Sequence, residues 1–492
     1  MNPWVRPRRF DRNLIVIGAG AAGLVAAYVG AAVKARVTLI EGQRMGGDCL
    51  NTGCVPSKAL IRAARLLADL RRAGEFGLSS GPVCADFTAV MERVRAVIRQ
   101  VEPHDSVARY TGLGVEVIHG QARLVSPWTV AIDTDSGPRQ LSSRAIVLAT
   151  GAAPAIPELP GLDTVRWVNS DTVWSLEALP QRLLVLGGGP IGCELAQAFA
   201  DLGSQVSVVA RSGLLGKEDP DAIEAVERGL SRAGVALRTG AEPLRCERVD
   251  GEQRLVVRDA VGETALPFDV LLCATGRQAR VAGLGLEALG IPLTRSGTVE
   301  VNAYLQTRHP NIYACGDVAG PRPFTHAAAH QAGYAALNAL FSGLLGPIGR
   351  FKADDRVMPR VTFTRPEVAR VGLNETEARA RGIAYEVTRY DLAELDRALT
   401  DGAAHGFVKV LTPPGRDRIL GVTLVGEHAG EMLAEFTLAM KHGLGLNKIL
   451  ATVHPYPTWS EAAQYAAGAW KRAHAPRRLL DWLARFHAWR RG

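Results

Sequence analysis

The stretch LIVIGAGAAG at residues 14–23 decides the fold of this chain. Its four aliphatic residues predict a short buried strand, and the spacing Gly18-x-Gly20-x-x-Gly23 predicts a tight turn that opens a helix. A second apolar run at residues 37–40 ends at Glu41. This strand–turn–helix–strand order indicates a dinucleotide-binding unit, because glycines let the backbone and the helix N-terminus approach a pyrophosphate.

The same unit occurs a second time. Residues 183–192 read LLVLGGGPIG and are followed by a helix to residue 200 and an apolar strand at 206–209. The repeat continues at residues 146–151 and 270–276, which are apolar strands that both end in Ala-Thr-Gly. The glycines of these later segments are Gly151, Gly187, Gly189, Gly192 and Gly276. The sequence therefore predicts two nested Rossmann-like domains, the second inserted into the first, followed from residue 351 by a separate α+β domain.

The charge distribution argues against a nucleic-acid enzyme. Of the net charge of +8, residues 1–13 carry +3 and residues 471–492 carry +6, which leaves −1 for the body of the chain. A nucleic-acid enzyme would carry its basic patch on the folded body. The uncharged run at residues 14–33 has the length of a membrane span or signal segment, but it is rich in Ala and Gly and contains the glycine turn. We therefore expect an intracellular, cytoplasmic protein that binds no nucleic acid.

The two strand ends predict two different cofactors. Glu41 lies where a carboxylate can accept hydrogen bonds from ribose hydroxyls, so the first unit should bind FAD. The second unit has Ala210 at the equivalent position, followed by Arg211 and, further on, Lys217. An arginine without the acid suits a 2′-phosphate, which favours NADPH over NADH, with a solvated loop charge as the alternative interpretation of Arg211.

The segment GGDCLNTGCVPSK at residues 46–58 is the distinctive one. Cys49 and Cys54 are the only cysteines that lie close in sequence among seven, too few for a disulfide scaffold. They could form a disulfide if a turn brings their Cα atoms to about 5.5 Å. A helix start here would lower the pKa of a thiol. The alternatives are a metal pair, for which no further ligands cluster nearby, and two unpaired core thiols.

With these motifs, the sequence resembles the class I pyridine nucleotide–disulfide oxidoreductases, a family that includes dihydrolipoyl dehydrogenase, glutathione reductase and mercuric reductase. The resemblance covers residues 13 to about 468. It implies a redox-active disulfide in which Cys54 is the charge-transfer thiol and Cys49 the interchange thiol. It further implies that Lys58 pairs with Glu194 near the flavin, that Gly47 and Asp317 contact FAD, and that a homodimer completes the active site.

The resemblance also gives the domain organisation. We predict an α/β fold with FAD-binding segments 13–155 and 277–350, an NAD(P)H-binding domain at 156–276 and an α+β dimerisation domain at 351–474. Basic tails occupy 1–12 and 475–492. Apolar residues of the second tail, at helical spacing after Pro476, predict an amphipathic helix that either packs on its own dimer or touches a membrane surface.

The departures from the family concern the acid–base residue. The C-terminal segment at residues 454–461 contains His454, Tyr456 and Glu461, and Tyr456 occupies the place of the family's histidine while Glu461 is retained. A tyrosine is a poor base at neutral pH because its reference pKa is about 10. Mercuric reductases carry a tyrosine at this position, as this chain does. The C-terminal cysteine pair and the N-terminal metal-binding domain of mercuric reductases are not found in this sequence. His454 is the alternative base, or a structural histidine.

The predicted function is transfer of electrons from NADPH through FAD and the cysteine pair to a metal ion or a small thiol or disulfide acceptor. Dihydrolipoyl dehydrogenase is the first alternative. A membrane-docked flavoprotein without turnover on soluble acceptors is the second. His326 and His330 are spaced as on a helix, and we interpret them as helix residues beside the flavin rather than as metal ligands.

Overall fold

The apolar run at residues 14–17 forms the central strand of a parallel sheet, as its composition predicts. The computed structural model describes residues 4–79, 81–342 and 349–492. The predicted tail 1–12 and the predicted segment 277–350 each include residues outside these ranges. The chain divides into two units, residues 1–211 with 238–355 and residues 212–237 with 356–492. The second unit thus takes residues 212–237, which the sequence places in the NAD(P)H-binding domain, and the domain boundaries stay predictions.

The first part of the chain contributes six strands to a seven-stranded sheet, whose seventh strand comes later in the chain. Its strands are β1 (Arg12–Ile17), β2 (Val37–Glu41), β3 (Glu116–His119), β4 (Gln121–Ser126), β5 (Thr129–Thr134) and β6 (Gly137–Leu148). Its helices are α1 (Ala21–Ala32), α2 (Gly47–Asn51), α3 (Cys54–Arg71), α4 (Phe87–Val101) and α5 (Val107–Gly112). The strand order is β3-β2-β1-β6-β5-β4. β6 takes part in both parallel and antiparallel pairing. Its residues 143–148 pair parallel with β1, and its residues 137–142 pair antiparallel with β5.

The inserted part repeats this pattern. Its strands are β7 (Ala152–Pro154), β8 (Trp167–Asn169), β9 (Arg182–Leu186), β10 (Gln205–Ala210), β11 (Ala236–Thr239), β12 (Glu242–Val249), β13 (Glu252–Arg258), β14 (Glu263–Phe268), β15 (Val270–Cys273) and β16 (Arg277–Ala279). Helices α6 (Pro190–Leu202) and α7 (Pro220–Arg232) belong to the same stretch. The second sheet has the order β11-β10-β9-β15-β8, beside a three-stranded antiparallel sheet β12-β13-β14. The crossing chains pair as β7 and β16.

The chain then returns to the first sheet. Strand β17 (Ile312–Ala314) pairs parallel with β6, and helix α8 (Thr325–Phe341) follows it. Alternate residues of β1 enter separate cores on the two faces of the sheet. Leu14 and Val16 join one core, whereas Ile15 and Ile17 join the other. A strand buried on both faces is continuously apolar, which is why this run lacks the alternation of a half-exposed strand.

The C-terminal part is an antiparallel sheet with helices. Its strands are β18 (Arg360–Thr362), β19 (Glu367–Gly372), β20 (Glu386–Asp391), β21 (Phe407–Thr412) and β22 (Gly421–Gly426), in the order β18-β19-β22-β21-β20. Its helices are α9 (Glu375–Ala380), α10 (Asp396–Thr400), α11 (Ala429–Lys441), α12 (Leu446–Leu450), α13 (Glu461–Ala473) and α14 (Arg477–Arg491). The predicted fold class is confirmed, with two strands and two short helices (β19, β20, α10 and α12) that the sequence did not indicate. No helix in the described ranges is both long and apolar enough to cross a membrane.

Candidate active site

The first glycine motif forms the turn between β1 and α1. Gly18 has a φ of +100°, and a Cβ there would lie 2.5 Å from the carbonyl oxygen of Ala149 at the end of β6. A Cβ on Gly23 would lie 1.7 Å from the Gly18 carbonyl oxygen. Both positions therefore require glycine. A Cβ on Gly20, by contrast, would have only the Cα of Gly47 as a neighbour, at 3.8 Å, so the backbone at the helix N-terminus is accessible.

The second glycine motif has the same geometry. A Cβ on Gly187 would lie 2.3 Å from the Ala274 carbonyl oxygen, and one on Gly192 would lie 2.1 Å from the Gly187 carbonyl oxygen. At Gly189 nothing lies within 4 Å. Each turn thus presents open backbone at a helix N-terminus, which suits the pyrophosphate of a dinucleotide. The residues present fit FAD at the first turn and a nicotinamide dinucleotide at the second.

The strand ends beside the two turns differ in chemistry. Glu41 is buried, and its carboxylate accepts hydrogen bonds from the backbone N–H of Ala19 at 2.6 Å and of Gln43 at 2.6 Å. The carboxylate is thereby fixed beside the first glycine turn. At the end of β10, Ala210 is buried and Arg211 is exposed. The two Ala-Thr-Gly segments end at Gly151 and Gly276, where a Cβ would meet nothing within 4 Å.

Cys49 and Cys54 lie on two consecutive helices joined by a tight turn. Cys49 is within α2, and Cys54 is the first residue of α3. The turn is closed by the backbone N–H of Gly53, which donates to the Asp48 carbonyl at 2.6 Å. The Trp174 indole N–H donates to the Thr52 carbonyl at 2.8 Å. A Cβ on Gly47 would lie 2.7 Å from the Cα of Gly20, so the cysteine segment begins against the first glycine turn.

The two cysteine side chains contact each other as thiols. Both are free and partly buried in this structure, and they share a side-chain hydrogen bond. That hydrogen bond, donated by Cys49, lowers the pKa of Cys54 to about 6, with help from the Thr325 hydroxyl and the Lys58 cation against the effect of burial. The same hydrogen bond raises the pKa of Cys49. The pair therefore favours the proton on Cys49 and the negative charge on Cys54, which lies at the N-terminus of α3, where the helix dipole stabilises a thiolate.

Lys58 and Glu194 form the ion pair that the resemblance implies. The Lys58 ammonium lies 2.7 Å from Glu194 Oε2, with the lysine side chain 38% exposed and the glutamate 8%. Lys58 is one turn after Cys54 on α3, and Glu194 is in the first turns of α6, directly after the second glycine motif. The pair thus connects the cysteine helix to the helix of the second nucleotide-binding turn.

A group of charged residues beside α2 was not predicted from the sequence. Arg277 forms an ion pair with Asp48, the neighbour of Cys49, and lies 3.9 Å from Asp317. Arg280 lies 3.6 Å from Asp48 and 3.7 Å from Asp171. Burial raises the pKa of Asp317. Arg277 follows the second Ala-Thr-Gly directly, which is the only sequence signal that could have placed it near the site.

Thr325 is a further residue that the sequence analysis missed. Its hydroxyl lies 3.2 Å from the Cys54 sulfur, at the start of α8. The neighbouring His326 stacks on Phe324 with ring centroids 5.3 Å apart. The ring of His330 contacts the Asp354 carbonyl at 2.9 Å through Nε2. No cluster of metal-ligating side chains occurs in the parts of the chain that the structure describes.

The predicted acid–base residues belong to the second unit. The Tyr456 side chain is 68% exposed, and its hydroxyl donates to Asp396 Oδ2 at 2.9 Å, a hydrogen bond that raises the pKa of Tyr456. His454 is held by both ring nitrogens, with Nε2 3.0 Å from Glu435 and Nδ1 3.0 Å from the Thr452 carbonyl.

Glu461 is buried at the start of α13. Its carboxylate accepts hydrogen bonds from the Thr458 N–H at 2.9 Å and from the Tyr465 hydroxyl at 3.2 Å. These contacts give His454 and Glu461 local structural partners, and the catalytic roles predicted for the three residues remain predictions.

Two nucleotide-binding turns, a pair of cysteines on consecutive helices and an adjacent Lys–Glu ion pair define a flavoprotein of the dithiol–disulfide type. The chain belongs to the pyridine nucleotide-disulphide oxidoreductase family: residues 12–333 match the family model, and residues 358–467 match the model of its dimerisation domain. It is thus an NAD(P)H-dependent flavoprotein disulfide oxidoreductase with FAD as its cofactor. The matched dimerisation domain supports a homodimer.

Relatives of two kinds are similar to the chain over most of its length. Mercuric reductase from Streptomyces lividans is 35% identical over 459 residues, covering 92% of this chain and 95% of the relative. Dihydrolipoyl dehydrogenase from Chlamydia muridarum is 34% identical over 462 residues, covering 92% and 96%. The alternative of a flavoprotein without turnover is not favoured by these relatives, which are named as enzymes.

Solved structures agree with this assignment. The Cu(II) complex of the HOCl-induced flavoprotein disulfide reductase RclA from Escherichia coli is 27% identical. It superposes with a TM-score of 0.80 over 93% of this chain and 99% of its own. LpdA from Mycobacterium tuberculosis is 28% identical, with a TM-score of 0.84 over 92% and 99%. The nested fold with its C-terminal domain is therefore shared with flavoprotein disulfide reductases.

Proposed function

We propose that this enzyme passes electrons from NADPH through FAD to the Cys49–Cys54 disulfide, and that the dithiol so formed reduces a soft metal ion or a small thiol-reactive acceptor. The observation that carries the proposal is the juxtaposition of Cys49 and Cys54 at the start of α3, one turn before the Lys58–Glu194 ion pair. Cys54 has its pKa lowered to about 6, first by the Cys49 hydrogen bond and then by the Thr325 hydroxyl and Lys58. An electron-transferring pair needs one thiolate ready at neutral pH.

The cofactor and the protein have separate tasks. FAD, when bound, supplies a hydride acceptor and two-electron chemistry. The glycine turns at Gly20 and Gly189 would hold the two dinucleotides. Opening the disulfide takes up two electrons and one proton, and the proton resides on the Cys49 sulfur. Thr325 and Lys58 stabilise the negative charge that then stays on Cys54.

Metal-ion reduction needs no further base. When one Hg(II) ion takes two electrons from the Cys49 thiol and the Cys54 thiolate, or two Cu(II) ions take one electron each, the disulfide re-forms and one proton leaves. The products are then neutral mercury or two Cu(I) ions. Exchange with a dithiol substrate would instead need a base with a pKa near 7. The Tyr456 hydroxyl donates a hydrogen bond to Asp396, which raises its pKa and makes it a poor base. Mercuric reductases among the relatives, and the Cu(II) complex of the RclA structure, support an ion of this kind.

The reductant is proposed to be NADPH. Arg211 is exposed at the end of β10, where the first unit has Glu41. A guanidinium at this strand end pairs with a 2′-phosphate, and the missing acid removes both the ribose acceptor and the repulsion of phosphate. NADH is the alternative reductant, and the ratio of the two KM values decides between them.

The experiment is a rapid-reaction study of purified holoenzyme with NADPH, followed by steady-state assays. Reduction should produce a long-wavelength charge-transfer band and two titratable thiols beyond those of the oxidised enzyme. Cys54→Ser should abolish the band, while Cys84→Ser, a change at an exposed cysteine outside the site, should preserve it. A Cys54→Ser enzyme that keeps the band and full turnover with Hg(II) or Cu(II) would refute the proposal.

Dihydrolipoyl dehydrogenase activity is the second candidate, because relatives of that name are as similar as the mercuric reductases. Turnover with NAD⁺ and dihydrolipoamide that exceeds turnover with NADPH and Hg(II) or Cu(II) would decide for it.

We further propose a cytoplasmic enzyme, since NADPH and a reducing thiol environment occur there. Contact of the basic C-terminal tail, residues 475–492, with a membrane surface is a separate proposal.

A further inference from the structure

Helix α14 carries an apolar face that nothing in the described chain covers. None of its fifteen residues is buried. Trp482 is 57% exposed and Trp489 is 77% exposed. Phe486 lies between them on the same face, stacked on Trp482 with ring centroids 5.6 Å apart and 6.1 Å from the Trp489 centroid. The spacing i, i+4, i+7 makes these three rings one continuous stripe along the helix.

The helix starts from a fixed point of the second unit. Trp470, the buried residue near the end of α13, donates its indole N–H to Glu386 Oε1 at 2.9 Å. His474 stacks on Trp470 with centroids 4.3 Å apart and lies 2.9 Å from the same carboxylate. Pro476 then occupies the N-cap position of α14. The helix that carries the exposed stripe thus begins directly after an anchored histidine.

A helix of this length needs a partner surface. Isolated helices of about 15 residues are marginal in water, and helices in proteins are stabilised mainly by covering an apolar face. Two exposed tryptophans and a phenylalanine in one stripe also form an apolar patch of the kind that marks an interaction site. The stripe therefore indicates that α14 binds a surface outside the described residues.

The charge of α14 indicates which kind of surface covers its apolar stripe. α14 contains five arginines and one aspartate, a net charge of +4. Pairing of α14 with the same helix of a second copy would bring two positive charges together, and the body of a second copy carries a net charge of only −1, whereas an anionic bilayer supplies a dense opposite charge. Arg478 and Arg485 flank the stripe by helical spacing, where long side chains reach headgroups. Tryptophan also prefers the boundary between headgroups and acyl chains.

We propose that α14 is a peripheral membrane anchor that lies in the plane of an anionic bilayer, with Trp482, Phe486 and Trp489 inserted at the headgroup level. In-plane binding by a basic amphipathic helix with aromatic residues fits this composition. The proposal goes beyond the electron-transfer reaction and does not depend on the identity of the acceptor.

The test is flotation of the flavin-loaded enzyme with lipid vesicles. Full-length protein should float with vesicles that contain phosphatidylglycerol and remain unbound to pure phosphatidylcholine, while protein ending at residue 474 should bind neither. Arg478→Gln with Arg485→Gln should lower the partition coefficient by about 25-fold, because each basic residue near an anionic surface contributes about fivefold. The matched control, Arg144→Gln with Arg295→Gln, removes equal charge at exposed positions elsewhere and should bind like wild type.

Two results would overturn the proposal. Equal flotation of full-length and truncated protein would show that α14 is not the anchor. Loss of the dimer in sedimentation velocity on truncation would show that a second copy of the chain covers the stripe. Turnover in solution separates this test from that of the electron-transfer reaction, since the truncated enzyme should oxidise NADPH as fast as the full-length enzyme.

Discussion

Replacing Cys49 by alanine tests the cause of the lowered thiol pKa at Cys54. The hydrogen bond from Cys49 is the largest contribution that brings the pKa of Cys54 from its ordinary 9.0 to about 6. Without this donor, burial opposes Thr325 and Lys58, and the pKa should return toward 9.0. Cys49→Ser keeps a hydroxyl donor and should retain most of the lowering. The two variants therefore differ in whether residue 49 can donate a hydrogen bond to the Cys54 sulfur.

The expected size of the pKa shift at Cys54 determines which quantity should be measured. A shift of about three units changes the thiolate fraction at pH 7 from about 90% to about 1%. A thiolate of higher pKa is, however, about 20-fold more nucleophilic for such a shift, so the alkylation rate at pH 7 falls only about fivefold. The rate at a single pH is thus a weak test, whereas the midpoint of the pH–rate curve moves by the full shift.

The measurement is alkylation of Cys54 by iodoacetamide over a range of pH, with mass spectrometry to quantify the Cys54 peptide. Wild-type enzyme reduced by NADPH should show a midpoint near 6, Cys49→Ser a midpoint close to it, and Cys49→Ala a midpoint near 9. The reasoning is refuted if Cys49→Ala keeps a midpoint near 6, because the Cys49 hydrogen bond would then not be the main cause.

Three further predictions concern other parts of the molecule. Lys58→Met removes the ammonium that lies 2.7 Å from the Glu194 carboxylate. The variant should raise the pH midpoint of Cys54 alkylation and lower the free energy of unfolding by about 1 kcal/mol. An unchanged midpoint would argue against a role for the lysine charge. Arg211→Gln should raise the KM for NADPH about tenfold with kcat and the KM for NADH unchanged, and an equal rise for both nucleotides would contradict a 2′-phosphate contact. Burial raises the pKa of Glu218 from 4.5 to about 7, so the folded enzyme holds a proton there that the unfolded chain releases at lower pH. The contribution of Glu218 to the free energy of unfolding should therefore fall as pH rises from about 4.5 to about 7 and then level off. In urea unfolding, the free-energy difference between Glu218→Gln and wild type should shift by about 3 kcal/mol in favour of the variant between pH 4 and pH 8, and a difference that stays constant with pH would contradict the raised pKa.

The sequence predicted those parts of the fold that local patterns determine. The two glycine turns were predictable because Gly18 and Gly23 admit no side chain, and the same holds for their counterparts in the repeat. β19 was not predicted because it contains a buried arginine, Arg370, whose charge interrupts the apolar pattern. That residue is stabilised by Glu218, which lies 2.9 Å away but far earlier in the chain, so no local pattern reveals the pair.

The candidate site was likewise predictable where its residues are close in sequence and not where they are distant. Cys49, Cys54 and Lys58 lie in one segment, so the sequence places them near one another, whereas the pairing of Lys58 with Glu194 was implied only by the resemblance to the family. Thr325 contacts Cys54 across 271 residues, and Arg277 pairs with Asp48 across 229 residues. Contacts of this kind arise from tertiary packing, and a single sequence does not contain them.

The paired glycine turns separate the part of each domain that is fixed from the part that can vary. Gly18 lies against the Ala149 backbone, and Gly187 lies against the Ala274 backbone. Neither position has room for a side chain, so both must remain glycine. The strand ends at Glu41 and Ala210 carry no such restriction. An acid at one strand end and a small residue at the other give the two halves different chemistry beside the glycine turns, so position 210 is where nucleotide preference could be altered without rebuilding the fold.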